Sequence, residues 1–196
     1  LGEVWKGGGR GYDNVLMITI GTGIGGGLIL NGKIHGGVTG SAAEVGHICA
    51  NPLETEPCNC GNCGCLEQYT SATGILRMAQ KKLAETDAPS ILRGKADLTT
   101  KDVIDAAKEG DTLAMEVFDF MAKTMGMALA GCCALADMEL ILIGGGVSKA
   151  GNFLTDPIEQ YFRTFAFHTQ KNTKFKLAEL GNDAGIYGAA RMMIHD

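Results

Sequence analysis

The sequence has little proline, few aromatic residues and no concentration of positive charge. Four prolines and 6% aromatics in 196 residues leave no proline-rich linker, and no internal repeat or low-complexity stretch breaks the chain. With 17 lysines and arginines against 22 acidic residues, none of the basic ones gathered into a cluster, the net charge of -5 argues against nucleic acid as a partner. No uninterrupted apolar run approaches the roughly 20 residues a bilayer span needs. The opening LGEVWKGGG also lacks the layout of a signal peptide. The expectation is a cytoplasmic protein with no membrane partner. At this length a single domain buries roughly 70% of its unfolded surface, so stability requires no covalent staples.

Two residue types are plentiful. Glycine, at 29 residues, marks tight turns and places where backbone meets ligand. Of the seven cysteines, five (Cys49, Cys58, Cys60, Cys63, Cys65) crowd one segment, whereas Cys132 and Cys133 sit in an apolar helical stretch and read as buried small hydrophobes. Disulfide frameworks belong mostly to small secreted domains, so this clustering points to metal.

Strands and helices alternate. VLMITI after Asn14 reads as a buried strand, and Asn31-Gly32 between LIL and KIH is a two-residue hairpin signal, giving three antiparallel strands. Residues 36–65 show no periodicity and form an improbably long loop unless a metal organises them. LEQYTSATGILRMAQKKLAE from Leu66 has helical spacing, followed by a polar, partly helical insert that runs to about Arg93 and beyond. Thr99 and Asp102 form a capping pattern ahead of Val103, Ile104 and Ala107. A long helix is expected from about Thr112 to Ala136, then a strand MELILI ending in Gly144-Gly145-Gly146. A helix around Pro157 to Phe165, a strand KFKLAEL and a closing helix DAGIYGAARMMIH complete the chain. This is an α/β domain with mixed strand order.

GTGIGGG (21–27) contains G-x-G-x-x-G, but a strand follows it rather than the helix a dinucleotide fold needs, and no Gly-Lys-Ser/Thr closes it as a Walker loop. What remains is a phosphate-binding turn in a hairpin, in which backbone N–H groups and the Thr22 hydroxyl donate to the anion. Gly144, Gly145 and Gly146 end a buried strand, where α/β proteins place ligands. In the cysteine cluster two tetrahedral sets can be drawn: Cys58, Cys60, Cys63 and Cys65, or three of these with His47. The histidine set would pin both ends of the long loop and is favoured for that reason. Zinc then makes the sulfur a scaffold, and Glu44 and Glu67 become carboxylates held in direction, acceptors suited to a polyhydroxyl ligand.

These residues together resemble the ROK group of repressors and sugar kinases. ITIGTGIGGGLILNGKIHGGVTGSAAEVGHI carries its glycine-rich turn and E-x-x-H loop, and CNCGNCGCLE, from Cys58 to Glu67, fits its zinc pattern C-x-C-G-x-x-G-C-x-E throughout. ILIGGGVS and GNDAGIYGAA extend the likeness over the whole chain. The resemblance implies an actin-like, ribonuclease-H-like ATPase fold, with residues 1–196 as the C-terminal lobe and 36–67 as a zinc-organised sugar loop. It implies zinc on His47, Cys58, Cys60 and Cys65, with Cys63 at a variable position. Sugar hydroxyls would lie on Glu44, His47 and Glu67, ATP phosphates with Mg²⁺ at Gly21, Thr22 and Gly23, and adenosine at Gly144 to Gly146.

The implied activity is phosphorylation of a hexose, glucose first, by a homo-oligomer such as a dimer. Kinases for N-acetylmannosamine, fructose or allose and a sugar-sensing repressor lobe share the motifs. The D-x-G-G-T hairpin and the catalytic aspartate of such kinases do not occur in these 196 residues, and Asn182-Asp183 lies in the closing segment rather than at the place of the base. The expectation is therefore that this chain by itself does not turn over.

Overall fold

A computed structural model of the chain describes residues 1–194. Five strands form one sheet: β1 (Val15–Ile20), β2 (Ile24–Leu30), β3 (Lys33–Ile34), β4 (Leu140–Gly144) and β5 (Lys174–Leu177), in the order β3-β2-β1-β4-β5. β1 pairs antiparallel with β2 and parallel with β4, and β4 pairs parallel with β5. The hairpin expected at Asn31-Gly32 is present, both residues adopting positive φ as a tight two-residue turn requires.

The helices are α1 (Gly2–Lys6), α2 (Glu67–Thr70), α3 (Ala72–Glu85), α4 (Thr100–Lys108), α5 (Thr112–Ala136), α6 (Asn152–Phe165) and α7 (Ala184–Met193). The expected closing helix thus ends two residues short of His195, which lies outside the described residues. Alternation on β1 and β4 decides the layers. Leu16, Ile18, Ile20, Ile141 and Ile143 face the main core with α5 and α6, while Val15, Leu140 and Leu142 face a smaller apolar cluster with Leu1 and Val4 of the α1 end. Burial on both faces is why MELILI carries no polar alternation.

α5 matches its expected bounds and is capped by Asp111, whose side chain accepts from the Ala114 N–H. By length and hydropathy it could cross a membrane, yet it carries Glu116, Asp119 and Lys123 and fully buries Met121, Met125 and Leu129 in this core. The Thr99–Asp102 capping box forms with both of its reciprocal hydrogen bonds.

Three expectations are corrected. The helix from Leu66 is two helices, because Ser71 leaves the helical region (ψ 169°) and caps α3 by accepting from the Gly74 N–H. The insert around Arg93 holds no helix; Arg93 instead ties it together by donating to the Ala88 and Leu83 carbonyls, with Leu92 sunk into the core. α6 starts at Asn152 and runs through Pro157. Burial of Leu154, Ile158 and Phe162 on α5 outweighs the one helical hydrogen bond the proline removes.

α6 crosses α5 at Gly126, where a Cβ would stand 2.7 Å from the Phe162 N and 2.8 Å from the Ile158 O. Both are backbone atoms and cannot step aside. Gly126→Ala is expected to destabilise by about 1–3 kcal/mol through overpacking, although alanine is the better helix former by about 1 kcal/mol. Urea denaturation checks this: an unchanged or raised midpoint would show that the two helices separate at no cost.

Candidate functional site

Only the first three glycine-run residues, Gly21, Thr22 and Gly23, make the turn between β1 and β2; Gly25, Gly26 and Gly27 lie in β2 opposite Thr19, Ile18 and Met17. The turn closes with the Gly21 N–H donating to the Gly23 carbonyl at 3.0 Å. α3 holds it from behind: the Ala72 N–H donates to the Gly21 carbonyl and the Thr73 hydroxyl to the Thr22 carbonyl, each at 2.8 Å.

On one side of the turn opens a cleft of about 640 Å³ lined by Gly21, Thr22, Lys101, Lys108, Gly146 and Lys149, among others. The two glycine stretches therefore meet, although only one glycine of the second triplet faces the cleft. Gly144 is buried in β4, where a Cβ would press on Met17 Cε at 2.8 Å and Ala178 Cβ at 3.1 Å. Gly145 takes φ +89° and passes within 2.5 Å, measured from a would-be Cβ, of the Ile20 O. Gly146 has open space. The lysines of α4 were missed in the sequence because nothing local shows that α4 borders the turn.

On the other side lies a cavity of about 510 Å³ lined by Thr22, Gly23, Cys58, Glu67, Thr73 and Arg77, among others. Thr22 thus stands in the wall of both. Glu67, at the start of α2, spans the gap behind it: one carboxylate oxygen accepts from the Ile24 N–H at 3.2 Å, and the other accepts from the Cys58 thiol at 3.3 Å. Glu44 precedes the 3-10 turn Val45–His47 and lines a smaller, largely apolar cavity with Leu16, Leu28 and Leu135, so it does not share the Glu67 cavity.

The long loop is organised by backbone pairing, Cys49 with Cys65 and Pro57 with Cys63, which folds His47 onto the cysteines. The ligand atoms of His47, Cys58, Cys60 and Cys65 all lie within 4.8 Å of one another. Cys60 Sγ is 3.5 Å from Cys65 Sγ, and Cys58 Sγ is 3.9 Å from His47 Nδ1. Zinc–sulfur bonds of about 2.3 Å give a tetrahedron with edges of about 3.8 Å, so the set fits a tetrahedral ion. Cys63 points away, its thiol 3.6 Å from the Thr55 carbonyl. Desolvation pushes the Cys65 thiol up to about 12 and raises Cys58 as well. Buried thiols of this kind ionise when a cation binds them.

Beneath the loop is a polar network that the sequence did not reveal, since its members are separated by up to 26 positions. Tyr69 donates to Glu54 at 2.8 Å, Asn51 donates to the Tyr69 hydroxyl at 3.1 Å, and Arg77 pairs with Glu54 at 3.2 Å and with Glu56. The Tyr69 hydroxyl, then the backbone N–H of Glu56, hold the Glu54 carboxyl down to about 2 from an ordinary 4.5. The depressed value means that Glu54 contributes fully above about pH 4.5 and loses its contribution as pH falls toward 2. Tyr69→Phe is expected to move the Glu54 titration, followed by carboxyl ¹³C NMR, back toward the ordinary range; no movement would mean that the tyrosine is not the dominant donor.

The sequence model of the ROK family matches residues 1–196. The chain belongs to the ROK family. It is 46% identical over 192 residues to a glucokinase of Halalkalibacterium halodurans, covering 96% of this chain and 58% of that protein. In structure it is similar to a ROK family glucokinase from Streptomyces griseus in complex with glucose and AMPPNP, with a TM-score of 0.85 and 37% identity over 97% of this chain and 64% of the other. It is as similar, with a TM-score of 0.85 and 31% identity, to a ROK family transcriptional regulator that is a homolog of the E. coli MLC protein, covering 96% of this chain and 48% of that one. The chain therefore spans about three fifths of these glucokinases. The ROK chain has the actin-like, ribonuclease-H-like ATPase fold of its sugar-kinase relatives, which the order β3-β2-β1-β4-β5 expresses here.

Proposed function

We propose that this ROK chain is the C-terminal lobe of an ATP-dependent hexose kinase, with glucose as its first substrate. The observation that carries the reading is that two cavities meet at Thr22, one beside the Glu67 carboxylate and the cysteine clasp, the other running from the turn to Gly146. A sugar in the first and a nucleotide in the second would bring hydroxyl and γ-phosphate together at the turn. Phosphoryl transfer consists mostly of such positioning and of charge stabilisation. The relative in complex with glucose and AMPPNP, an ATP analogue, supports the ligand pair.

In this reading Glu67 is the central acceptor for sugar hydroxyls, with His47 beside it across Cys58, whereas Glu44 faces a separate cavity and takes no part. The N–H groups and hydroxyl of Thr22 with Gly21 and Gly23 take phosphate oxygens, and Gly146 leaves room for the nucleoside. His47, Cys58, Cys60 and Cys65 would hold a structural zinc, which supplies folding free energy to the loop. Mg²⁺ bound with ATP would supply charge neutralisation. A base outside these residues takes the hydroxyl proton, and residues 1–196 alone bind without turning over.

A coupled ADP-release assay of the intact protein with ATP and glucose, fructose, N-acetylmannosamine or N-acetylglucosamine tests the reading. Turnover on glucose above the others is the expected result. Sugar binding without any turnover would overturn it in favour of a sugar sensor like the regulator relative, and phosphorylation by residues 1–196 alone would overturn the assignment of the base.

A further inference from the structure

The peptide bonds of the turn are trans, so each carbonyl and the following N–H point in opposite directions. The Gly21 and Thr22 carbonyls are both claimed by the first turn of α3, through the Ala72 N–H and the Thr73 hydroxyl at 2.8 Å each. The N–H groups of Thr22 and Gly23 are thereby turned away from α3. Among the described residues neither donates to a protein acceptor, while the next N–H, that of Ile24, is taken by Glu67 at 3.2 Å. Two successive backbone donors left open at the junction of two cavities form an anion nest, and their direction is fixed by what holds the carbonyls.

Thr73 is the only side chain among the described residues that bonds to a carbonyl of this turn. It is exposed, it fills no place in the core, and Ser71 rather than Thr73 caps the helix. We infer that Thr73 is a positioning residue for the nucleotide phosphates: its hydroxyl orients the Thr22–Gly23 peptide so that the Gly23 N–H is presented to the anion. The inference rests on the nucleotide reading of the cleft above. The residue carries no charge and its hydroxyl is spent on the Thr22 carbonyl, so the composition of the turn gives no hint of it.

The test is isothermal titration of ATP with Mg²⁺ into the intact protein, together with steady-state kinetics, for the wild type, Thr73→Val and Thr73→Ser. Losing one hydrogen bond to the turn is expected to weaken ATP binding about three- to tenfold in Thr73→Val and to raise KM for ATP by the same factor. The thermal midpoint should stay at its wild-type value, and Thr73→Ser, which keeps the hydroxyl, should restore ATP affinity. A merely structural role would lower the midpoint along with ATP affinity and would not be rescued by serine. If the wild type binds ATP and Thr73→Val binds it equally well, or if serine is as defective as valine, the inference is overturned while the kinase reading stands. If the wild type binds no ATP, both fall.

Discussion

If the proposed zinc occupies the cysteine clasp, chelating it from the intact protein, or replacing Cys65 by serine, is expected to lower the thermal midpoint by more than about 10 °C and to open residues 48–66 to proteolysis. Structural zinc in such sites supplies on the order of 10–16 kcal/mol of apparent binding free energy. In a protein of this size each kcal/mol moves the midpoint by about 2–4 °C, so even a third of that value is enough. The segment contains no α-helix and no named strand, Leu53 at its tip is 86% exposed, and apart from the cysteine clasp it is held by two isolated backbone pairings and the Glu54–Tyr69–Arg77 network. Without the ion, Cys58 and Cys65 remain protonated thiols buried against each other's surroundings. Zinc content measured beside the melting curve separates the two ligand sets that spacing alone allows. His47→Ala should lose the metal and Cys63→Ser should keep one zinc per chain; the reverse pattern would establish the four-thiolate set.

Glu67→Ala is expected to reduce kcat/KM for the sugar by about 10²- to 10³-fold. In the proposed reading the carboxylate accepts from sugar hydroxyls, and charge-assisted hydrogen bonds contribute about 1.5–3 kcal/mol each, at about 1.4 kcal/mol per decade of rate. The same side chain also satisfies the Ile24 N–H, so its removal loosens the turn from the clasp. Glu67→Gln retains one carbonyl acceptor and should lose less, by roughly tenfold relative to the wild type. Kinetics with sugar and ATP varied separately check this, with circular dichroism to confirm folding. A Glu67→Ala protein that keeps its wild-type kcat/KM would remove the carboxylate from the sugar site.

The chain's local regularities could be read directly. β1 and β4 are short, mainly apolar runs bounded by turn residues, α5 is a long apolar helical stretch, and α4 is opened by a capping box whose two members are three positions apart. Each depends on neighbours within a few residues, which is why the written order already shows them. The departures arise where a distant partner intervenes. Ser71 breaks a continuous helical pattern because the α3 N-terminus must reach the turn fifty residues earlier, and Gly144 looks like a ligand contact in the triplet until Met17 and Ala178 are seen to pack against it.

By itself, then, the sequence determined an α/β chain with a phosphate-type turn, a metal clasp made of the four clustered cysteines or of three of them with His47, and the carboxylate Glu67 beside it. These follow from residue type and spacing, because thiolates bind soft cations and glycine admits anions whatever surrounds them. The tertiary structure brought His47 onto Cys58, Cys60 and Cys65 as the family resemblance implied, and it alone decided that Thr22 stands between two cavities and that Glu67 and Thr73 hold the turn. Those outcomes depend on side-chain direction and on contacts between segments up to 51 positions apart, which the packing of α3 against the β1–β2 hairpin imposes and no local pattern encodes.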